Sequence, residues 1–268
     1  MQPYRKGSQY YESQDVQGVK VTWRNEHAVV EWEETADVWS SAVFHGGHAQ
    51  ATKIVNHMVG KGFDCSDPVG YMELKCKEWG YDAKQTVGLL TAARMTHLSV
   101  EGLEGDQFSL FCATTAGTSN AARAGMKRET YSSYLTLDEN LERKDSLAKA
   151  QDHKDDKFSG MIPGTINTII VIEARIQEAA VLNLLQSAVE AKAAALADLN
   201  IRDRETGLIA TGTTTDTVAI AILDRGRYTA EHQYGGTATT IGNELGMLVY
   251  NTVSESVRTQ FEDDNDAV

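Results

Sequence analysis

The sequence predicts a single domain of the α/β or α+β class, in which helices cover a mixed β-sheet. Three observations favour this class. The chain opens with the pattern of an antiparallel hairpin, short apolar runs of strand length follow, and two long helical patterns occupy the second half. Because strands and helices do not alternate along the whole chain, we expect mixed rather than purely parallel strands. The order of the strands does not follow from the sequence.

The composition is that of an ordinary globular protein, with 41% hydrophobic and 24% charged residues in a chain of 268. A single α/β unit commonly reaches about 200 to 250 residues. We therefore expect one domain over residues 19–259, preceded by an irregular leader (1–18) and followed by an acidic tail (260–268).

The N-terminal part of that domain has the pattern of a hairpin. Hydrophobic and polar side chains alternate over residues 19–23, and the pattern resumes over 27–32 after the polar pair Asn25-Glu26. A further apolar run over 38–44 predicts a buried strand that stops at Gly46-Gly47. The sheet is thus expected to begin with antiparallel strands.

The middle of the domain predicts both helices and core strands. Residues 49–59 place apolar side chains at helical spacing. Asp67 as N-cap and Pro68 in the first turn predict a second helix, which Gly80 ends. Core strands are predicted over 85–93, 107–115, 165–172 and 217–223. A mixed-charge segment over 137–158 is expected to be a surface excursion.

Two long helices are predicted over residues 174–199 and 238–258. The first is rich in alanine and packs either inside the domain or against another subunit, so that homo-oligomerisation stays open. Its expected apolar face consists of Leu182, Leu185, Val189, Leu196 and Leu199. Lys192 falls within that face, so its ammonium either meets a partner or reaches solvent along its flexible side chain. The second helix is expected to bury Ile241, Leu245, Leu248 and Val249.

The charge balance excludes several classes of partner. Lys and Arg number 25 against 38 Asp and Glu, a net charge of −13, so nucleic acid and anionic membrane surfaces are repelled. No run approaches the roughly 18 apolar residues of a membrane span, and no secretory signal is present, so we expect a cytoplasmic protein. The odd cysteine count (Cys65, Cys76, Cys112) predicts reduced thiols rather than disulfides.

Familiar catalytic motifs are missing from the sequence. It contains no GxGxxG, GxxxxGK[ST], GxSxG or HExxH pattern, which removes the usual dinucleotide, nucleotide, esterase and zinc-protease interpretations. His45 and His48 lie three residues apart, with His57 further on, but no carboxylate or cysteine stands at the spacing of a metal site. We therefore predict no metal centre and interpret the two histidines as a polar turn.

Short glycine- and threonine-rich turns recur at the predicted strand ends and are the most informative feature. They are Gly117-Thr118-Ser119-Asn120, Gly164-Thr165, the stretch from Thr211 to Asp216, and Gly235-Gly236-Thr237. Such turns expose backbone N–H groups and hydroxyls. If they converge, they form a concave surface suited to a ligand with many amides; taken singly, each is an ordinary turn.

Asp216 lies in the best local cluster of a carboxylate with hydroxyls, beside Thr213, Thr214 and Thr215. Amide hydrolysis needs a hydroxyl nucleophile, a carboxylate acting on water, or a metal-bound water. The alternative is that Asp216 caps a turn by accepting backbone N–H bonds. Asn183, Ser187 and Glu190 form a separate polar strip on the alanine-rich helix, interpreted as its solvated face.

Taken in order, these motifs resemble the adenosylcobinamide amidohydrolases. The resemblance is carried by the runs TTAGTSNAARAG at 114–125, GTINTIIV at 164–171, EAK at 190–192, ATGTTTD at 210–216 and GGT at 235–237. Upstream, Gly46-Gly47, Asn56 and residues 87–92 match as well, so that the likeness extends from about residue 19 to 258. The chain departs from the family pattern at Ala124, at Thr214 and in the long segment 137–158.

The resemblance implies a corrinoid-salvage enzyme for cobalamin biosynthesis. Such an enzyme hydrolyses the amide that joins aminopropanol to the corrin ring of adenosylcobinamide, and it releases adenosylcobyric acid and aminopropanol. The substrate itself contains cobalt, and no further cofactor is implied. A non-catalytic corrinoid-binding or carrier protein is the alternative. A self-processing hydrolase with a new N-terminal threonine at Gly164-Thr165 or Gly212-Thr213 is a third.

Our mechanistic hypothesis assigns roles to the motif residues. Asp216 or Glu190 activates water or a threonine hydroxyl, while Lys192 stabilises the oxyanion or keeps the carboxylate ionised. The candidate hydroxyls are those of Thr165, Thr211 and Thr213, and Asn120 and Asn167 are expected to polarise the carbonyl. The expected substrate-binding residues are Gly46, Gly47, Gly117, Thr118, Ser119, Asn120, Asn167, Thr211, Gly212, Gly235, Gly236 and Thr237.

Overall fold

The computed structural model describes residues 1–60, 63–128, 130–136, 138–140, 142–143 and 164–262. The strands are β1 (Tyr10–Glu12), β2 (Lys20–Arg24), β3 (His27–Ser40), β4 (Gly47–Met58), β5 (Thr86–Thr91), β6 (Ser99–Gly105), β7 (Phe108–Ala116), β8 (Ala121–Ala122), β9 (Ile166–Glu173), β10 (Arg175–Ile176), β11 (Gly212–Thr213), β12 (Thr217–Leu223) and β13 (Glu231–His232). The helices are α1 (Pro68–Trp79), α2 (Glu178–Asp198) and α3 (Thr240–Thr259).

Nine strands of the described chain form one mixed sheet. Its order is β1-β2-β3-β12-β9-β7-β6, with β4 beside β3 and β5 beside β4. The pairs β9/β12 and β4/β5 are parallel, whereas the other neighbours are antiparallel. The predicted mixed sheet with an antiparallel N-terminal hairpin is therefore confirmed. The hairpin is formed by β2 and β3.

The sheet curls around the first of its cores. Side chains from strands far apart in the sheet order meet there, among them Val21 of β2, Val87 of β5, Val100 of β6 and Ala219 of β12. The curl is helped by β3, which is continuous from residue 27 to 40 and carries an irregular register between Glu31 and Ala36. The runs 27–32 and 38–44, predicted as separate strands, are thus largely one strand.

The second core lies between the opposite sheet face and the helices α2 and α3. Here the predicted face of α2 is wrong in part, because Leu182 and Val189 are 54% and 45% exposed. The buried side chains are Ala180, Val181, Leu184, Ser187, Ala188, Lys192, Ala195 and Leu196. The stripe is rotated because α2 packs against α3 as well as against the sheet. The α3 prediction is confirmed, since Ile241, Leu245, Leu248 and Val249 are all buried.

A third, smaller core lies under α1, on the other side of β3 and β4. Its buried members are Val29, Phe44, Val55, Met72 and Cys76. The predicted caps of this helix are confirmed: Asp67 accepts a hydrogen bond from Gly70 N at 2.9 Å, and Gly80 has φ +73°.

The helix predicted over residues 49–59 is wrong, because this segment is strand β4. It pairs with β3 on one side and with β5 on the other. Residues 54–57 are buried in succession, since the first core covers one face of the strand and α1 covers the other. A run of buried positions loses the alternation of a half-exposed strand and imitates the spacing of a helix.

The first 18 residues are also more ordered than the predicted leader. Strand β1 pairs with β2, and Tyr4 and Val16 are buried in the first core. Tyr4 lies against Trp23 with ring centroids 5.6 Å apart. Isolated tertiary contacts of this kind leave no periodic pattern in the sequence. The predicted surface excursion at 137–158 and the acidic end of the chain lie largely outside the described residues.

Among the described residues, no helix is both long and apolar enough to cross a bilayer.

A His27→Gln variant is expected to lose less stability in acid than the unchanged chain. His27 is buried, stacks on Trp79 with centroids 3.9 Å apart, and its Nε2 lies 3.0 Å from the Tyr81 hydroxyl. Burial, followed by the nearby His57 and Arg24, lowers the pKa of His27 from 6.5 to about 4. Protonation therefore favours the unfolded chain, and stability falls as the pH drops from about 6.5 towards 4.

Urea unfolding at pH 7 and pH 4.5 measures this difference. His48→Gln, at an exposed histidine, is the matched control and should lose as much stability on acidification as the unchanged chain. An equal loss in the His27→Gln and His48→Gln variants would contradict the assignment.

Candidate active site

The glycine- and threonine-rich turns meet at one edge of the sheet because of its topology. Strands β9 and β12 are parallel and begin at this edge, and their antiparallel neighbours β7 and β3 end there. The turns at 164–165 and 211–216 precede β9 and β12, and those at 117–120 and 46–47 follow β7 and β3. Three of the four predicted turns, together with Gly46-Gly47, therefore lie at the same edge.

An ion pair between Asp216 and Lys192 lies at the centre of this edge. Their side chains are only 11% and 8% exposed. Asp216 Oδ2 accepts from Lys192 Nζ and from Thr213 N at 2.9 Å, while Oδ1 accepts from Thr213 Oγ1 at 2.5 Å and Ile166 N at 3.0 Å. Lys192 is thus paired with Asp216 and does not extend to solvent. Asp216 both accepts a backbone N–H bond of its turn and forms the ion pair.

Gly212 allows this pair to lie against the backbone. A Cβ at Gly212 would clash with Asp216 Oδ2 and would lie 2.8 Å from Lys192 Nζ. The carboxylate offers about four lone-pair sites, and the donors above occupy them. Thr213 Oγ1 donates to Asp216, which is the geometry that a general base requires towards a hydroxyl.

Thr165 belongs to a second cluster of hydroxyls, which lies beside the ion pair. Its Oγ1 lies 2.8 Å from Thr215 Oγ1, and the two hydroxyls lie 2.7 and 3.0 Å from Gly164 O. Thr165 is buried, and its hydroxyl contacts Thr215 rather than Asp216. The two predicted catalytic threonines, Thr165 and Thr213, are therefore neighbours with different partners.

The turn at 117–120 packs tightly onto the start of β9. Gly117 N donates to Thr165 O at 3.0 Å, and Asn120 Nδ2 donates to Thr214 Oγ1 at 2.8 Å. Thr118 N and Oγ1 both donate to Gln260 Oε1 beyond α3, at 2.8 and 3.0 Å, so this threonine anchors the turn. Ser119 is half-buried next to Gly164.

Asn167 lies below these turns and is oriented by two acceptors. Its Nδ2 donates to Asn56 Oδ1 at 2.8 Å and to Leu90 O at 3.0 Å, and Asn56 Nδ2 donates to Thr115 Oγ1 at 2.8 Å. Because both acceptors face Nδ2, the remaining atom is Oδ1, which is buried without a partner. In this arrangement Asn167 offers an acceptor, so the expectation that it polarises a carbonyl does not fit.

Several predicted residues hold other parts of the fold. A Cβ at Gly235 would clash with Ala180 O and Leu184 near the start of α2. Ala180 precedes Lys192 by twelve residues, which is about 18 Å along the helix. Gly236 O accepts from the N-cap Thr239 of α3 at 2.8 Å.

Thr237 is exposed beside Gly235 and Gly236, so this turn lies away from the ion pair. Thr211 Oγ1 accepts from Ala124 N at 2.9 Å and so joins the β11 turn to the β8 turn. Gly46 and Gly47 are exposed at the edge of the site, beside the start of β12.

The histidine turn has separate partners. His45 Nδ1 lies 3.0 Å from Thr86 O, and His48 Nε2 lies 2.7 Å from Asp37 Oδ1. No group of three metal-ligating side chains occurs within the part of the chain that the structure describes. The expectation of a metal-free site stays a prediction.

The sequence placed Thr215 in the hydroxyl cluster of Asp216 but predicted neither its contact with Thr165 nor the bond from the backbone N–H of Ile166 to Asp216. It also missed Asp203, a buried carboxylate that accepts from Arg123 N at 2.9 Å and from Glu205 N at 2.8 Å. Asp203 thereby ties the loop after α2 to the β8 turn. An Asp in a polar loop carries no signal of burial, so only the tertiary structure reveals this role.

A Glu190→Gln variant is expected to keep the activity of the unchanged chain within about twofold, the range of a surface substitution. Glu190 is exposed, and two residues along a helix turn it about 200° away from Lys192. It therefore cannot replace Asp216 as the base at this site. Steady-state kinetics would contradict this if kcat fell by more than about tenfold, the smallest loss typical of a removed acid or base.

Comparison with known proteins yields one family and two curated relatives. The model of the family described as adenosylcobinamide amidohydrolase matches residues 9–265. An adenosylcobinamide amidohydrolase from Methanosarcina mazei is 27% identical over 228 residues, which cover 83% of this chain and 90% of the relative. An uncharacterized protein from Methanocaldococcus jannaschii is 29% identical over 185 residues, with 66% and 65% coverage.

Two solved structures show a more distant likeness. The PH0078 protein from Pyrococcus horikoshii has a TM-score of 0.39 at 9% identity, covering 87% of this chain and 76% of that one. An L-aminopeptidase D-Ala-esterase/amidase from Ochrobactrum anthropi has a TM-score of 0.34 at 7% identity, with 93% and 81% coverage. At these scores neither structure assigns a role to any residue of this chain.

Proposed function

The chain belongs to the adenosylcobinamide amidohydrolase family, and from this premise we propose that it hydrolyses the amide joining aminopropanol to the corrin ring of adenosylcobinamide. The products are adenosylcobyric acid and aminopropanol, which makes the reaction a step of cobinamide salvage. The observation that carries the proposal is the buried Asp216–Lys192 pair with the Thr213 hydroxyl directed at the carboxylate.

The proposed chemistry begins with Asp216 as general base. It takes the proton of Thr213 Oγ1, or of a water at the same position, as the oxygen attacks the scissile carbonyl. If Thr213 attacks, the amine of aminopropanol leaves with that proton, and water then hydrolyses the ester left on Thr213 Oγ1. If water attacks, departure of the protonated amine gives the acid directly. Each step uses only groups of the chain, the substrate and water.

Lys192 has two roles in this scheme. Its ammonium supplies the counter-charge of the buried Asp216 carboxylate and holds that side chain in place beside Thr213. An ammonium carries three donors, and Asp216 takes one of them, so another is available to the oxyanion of the tetrahedral intermediate.

The surroundings of the pair suit the proposed substrate. Cobinamide carries cationic cobalt and peripheral carboxamides but no phosphate, and a protein with a net charge of −13 attracts a cation. The turns at 117–120 and 211–216 offer backbone groups and hydroxyls for the carboxamides. Cobalt enters with the substrate, and we propose no other cofactor, nucleic acid or membrane partner. We further propose a cytoplasmic enzyme, whose subunit number gel filtration would give.

The test is incubation of the purified, chelator-treated protein with adenosylcobinamide. We expect equal amounts of adenosylcobyric acid and aminopropanol. Chromatography and mass spectrometry measure both products. Thr213→Ser keeps the hydroxyl, whereas Thr213→Val removes it at similar volume. If the protein binds adenosylcobinamide but releases it unchanged, also after divalent metals are restored, it is a carrier and the proposal fails.

A denaturing mass spectrum of the same preparation separates this mechanism from self-processing. We expect a single chain near the sequence mass of 29.3 kDa. Two fragments joining at Gly164-Thr165 or Gly212-Thr213 would instead make a new N-terminal threonine the nucleophile.

A further inference from the structure

A partly exposed aromatic pair lies on the sheet face that carries α2. Trp39 of β3 and His48 of β4 are directly opposite in their ladder, with ring centroids 4.5 Å apart and planes inclined by 16°. Trp39 packs against the second core on one side, and the His48 side chain is 45% exposed. Because the rings are stacked with Trp39 on the core side, the pair presents the His48 imidazole, supported by Trp39, at the boundary with solvent.

Polar side chains border this aromatic pair on one side. His48 Nε2 donates to Asp37 Oδ1 at 2.7 Å, and Gln50 Nε2 donates to the same oxygen. These bonds fix the plane of the imidazole against Trp39. No described residue bonds Asp37 Oδ2 or Gln50 Oε1, so two acceptors stand beside the stacked rings.

The aromatic pair and the Asp216–Lys192 pair lie on the same sheet face. Trp39 is directly opposite Ile220, which follows Asp216 by four residues and therefore lies about 13 Å from it along β12. On α2, Val189 precedes Lys192 by three residues and is turned about 60° from it, and its apolar side chain is exposed.

We propose that the Trp39–His48 pair receives the adenine base of the substrate's adenosyl group, an inference that rests on the proposed function. Adenine is flat and aromatic, and bases stack on aromatic side chains. Its exocyclic amine donates to acceptors such as Asp37 and Gln50, and glutamine is a common partner of adenine. The scissile amide lies on a side chain at the rim of the corrin ring. With the base at the aromatic pair, that side chain extends towards Asp216, which is about 13 Å from Ile220 along the strand.

Binding of the reaction product tests the proposal without turnover. Equilibrium dialysis compares adenosylcobyric acid with cobyric acid that carries cyanide in place of the adenosyl group. We expect the unchanged protein to bind the adenosyl form about tenfold more tightly, and Trp39→Leu to remove that preference without altering binding of the cyanide form. Trp39→Phe should retain most of the preference, because it keeps a ring.

Kinetics and controls complete the test. With adenosylcobinamide, Trp39→Leu should raise KM about tenfold and leave kcat unchanged. Gln50→Ala, at an exposed position, should raise KM less and unfold at the same temperature as the unchanged chain. Tyr234→Leu removes an exposed aromatic ring far from the site and should change neither constant.

The outcomes separate this inference from the function on which it rests. If the unchanged protein forms no adenosylcobyric acid, the proposed function itself fails. If it does, but Trp39→Leu weakens both forms equally or neither, the pair does not bind adenine and the inference is overturned.

Discussion

Replacing Asp216 by Asn is expected to lower kcat/KM for adenosylcobinamide by at least about a thousandfold, within the range that general acid–base catalysis supplies. Asn has the size of Asp and still accepts hydrogen bonds, but it cannot take the proton of Thr213 Oγ1. Rates of aminopropanol release with saturating and limiting substrate measure the effect. Because the lost interaction belongs to the transition state, kcat should fall and KM should change little.

A stability control separates this loss from unfolding. Asp216→Asn leaves the buried Lys192 ammonium without its counter-charge, and breaking one side of a buried ion pair costs about 3–5 kcal/mol. The double variant Lys192→Met, Asp216→Asn removes both charges and should be more stable than the single variant while remaining inactive. An Asp216→Asn protein that is folded and retains a tenth or more of the activity would exclude Asp216 as the base.

Replacing Gly164 by Ala is expected to destabilise the protein by about 1–3 kcal/mol, the usual cost of overpacking, and to lower activity at least about tenfold. The new Cβ would lie 2.5 Å from Asn120 Oδ1, 2.7 Å from Gly117 O and 2.8 Å from Ser119 N. Two of these are backbone atoms, so the whole 117–120 turn must move, and Thr165 moves with it. Thermal unfolding and kinetics measure the two effects.

Gly236→Ala is the matched control for this substitution. A Cβ at Gly236 meets nothing within 4 Å, and its turn lies at the other end of α2. We therefore expect stability and activity close to those of the unchanged chain. The reverse ranking, with Gly236→Ala the more damaging variant, would place the substrate at the 235–237 turn, where the sequence pattern had first suggested it.

The two central residues of the candidate site could be singled out from the sequence because they stand out locally. Lys192 interrupts an apolar helix face, and Asp216 lies three residues from Thr213 in a polar turn, so both attract attention before any fold is known. That they face each other was not predictable, because the contact depends on α2 packing beside β12.

Convergence of the turns was predictable only in part, for a similar reason. Every glycine- and threonine-rich turn looks alike in sequence, but strand direction decides which edge of the sheet each reaches. The turns beside β7, β9 and β12 meet, whereas Gly235-Gly236-Thr237 caps α3 at the far end of α2. Glu190 failed as a candidate because helical rotation turns it away from Lys192.

The secondary structure followed the sequence at helix α1 and failed at strands β4 and β1. Helix α1 has a cap, a first-turn proline and a terminal glycine, all of which are local signals. Strand β4 has cores on both sides over residues 54–57, so its pattern carries no alternation. Strand β1 is short and its register depends on β2, which only tertiary contacts reveal.

The small third core under α1 makes the three thiols of the chain a graded probe of opening. Cys76 is held by only a few apolar neighbours, so fluctuations that lift α1 should expose it without unfolding the sheet. Cys112 lies in the centre of β7, where burial raises its pKa to about 11, and should react only on global unfolding. Cys65 is exposed and should react at once. We therefore expect Cys65 to be alkylated first, Cys76 second and Cys112 last. The three rates would report, in that order, surface exposure, detachment of α1 and unfolding of the whole sheet.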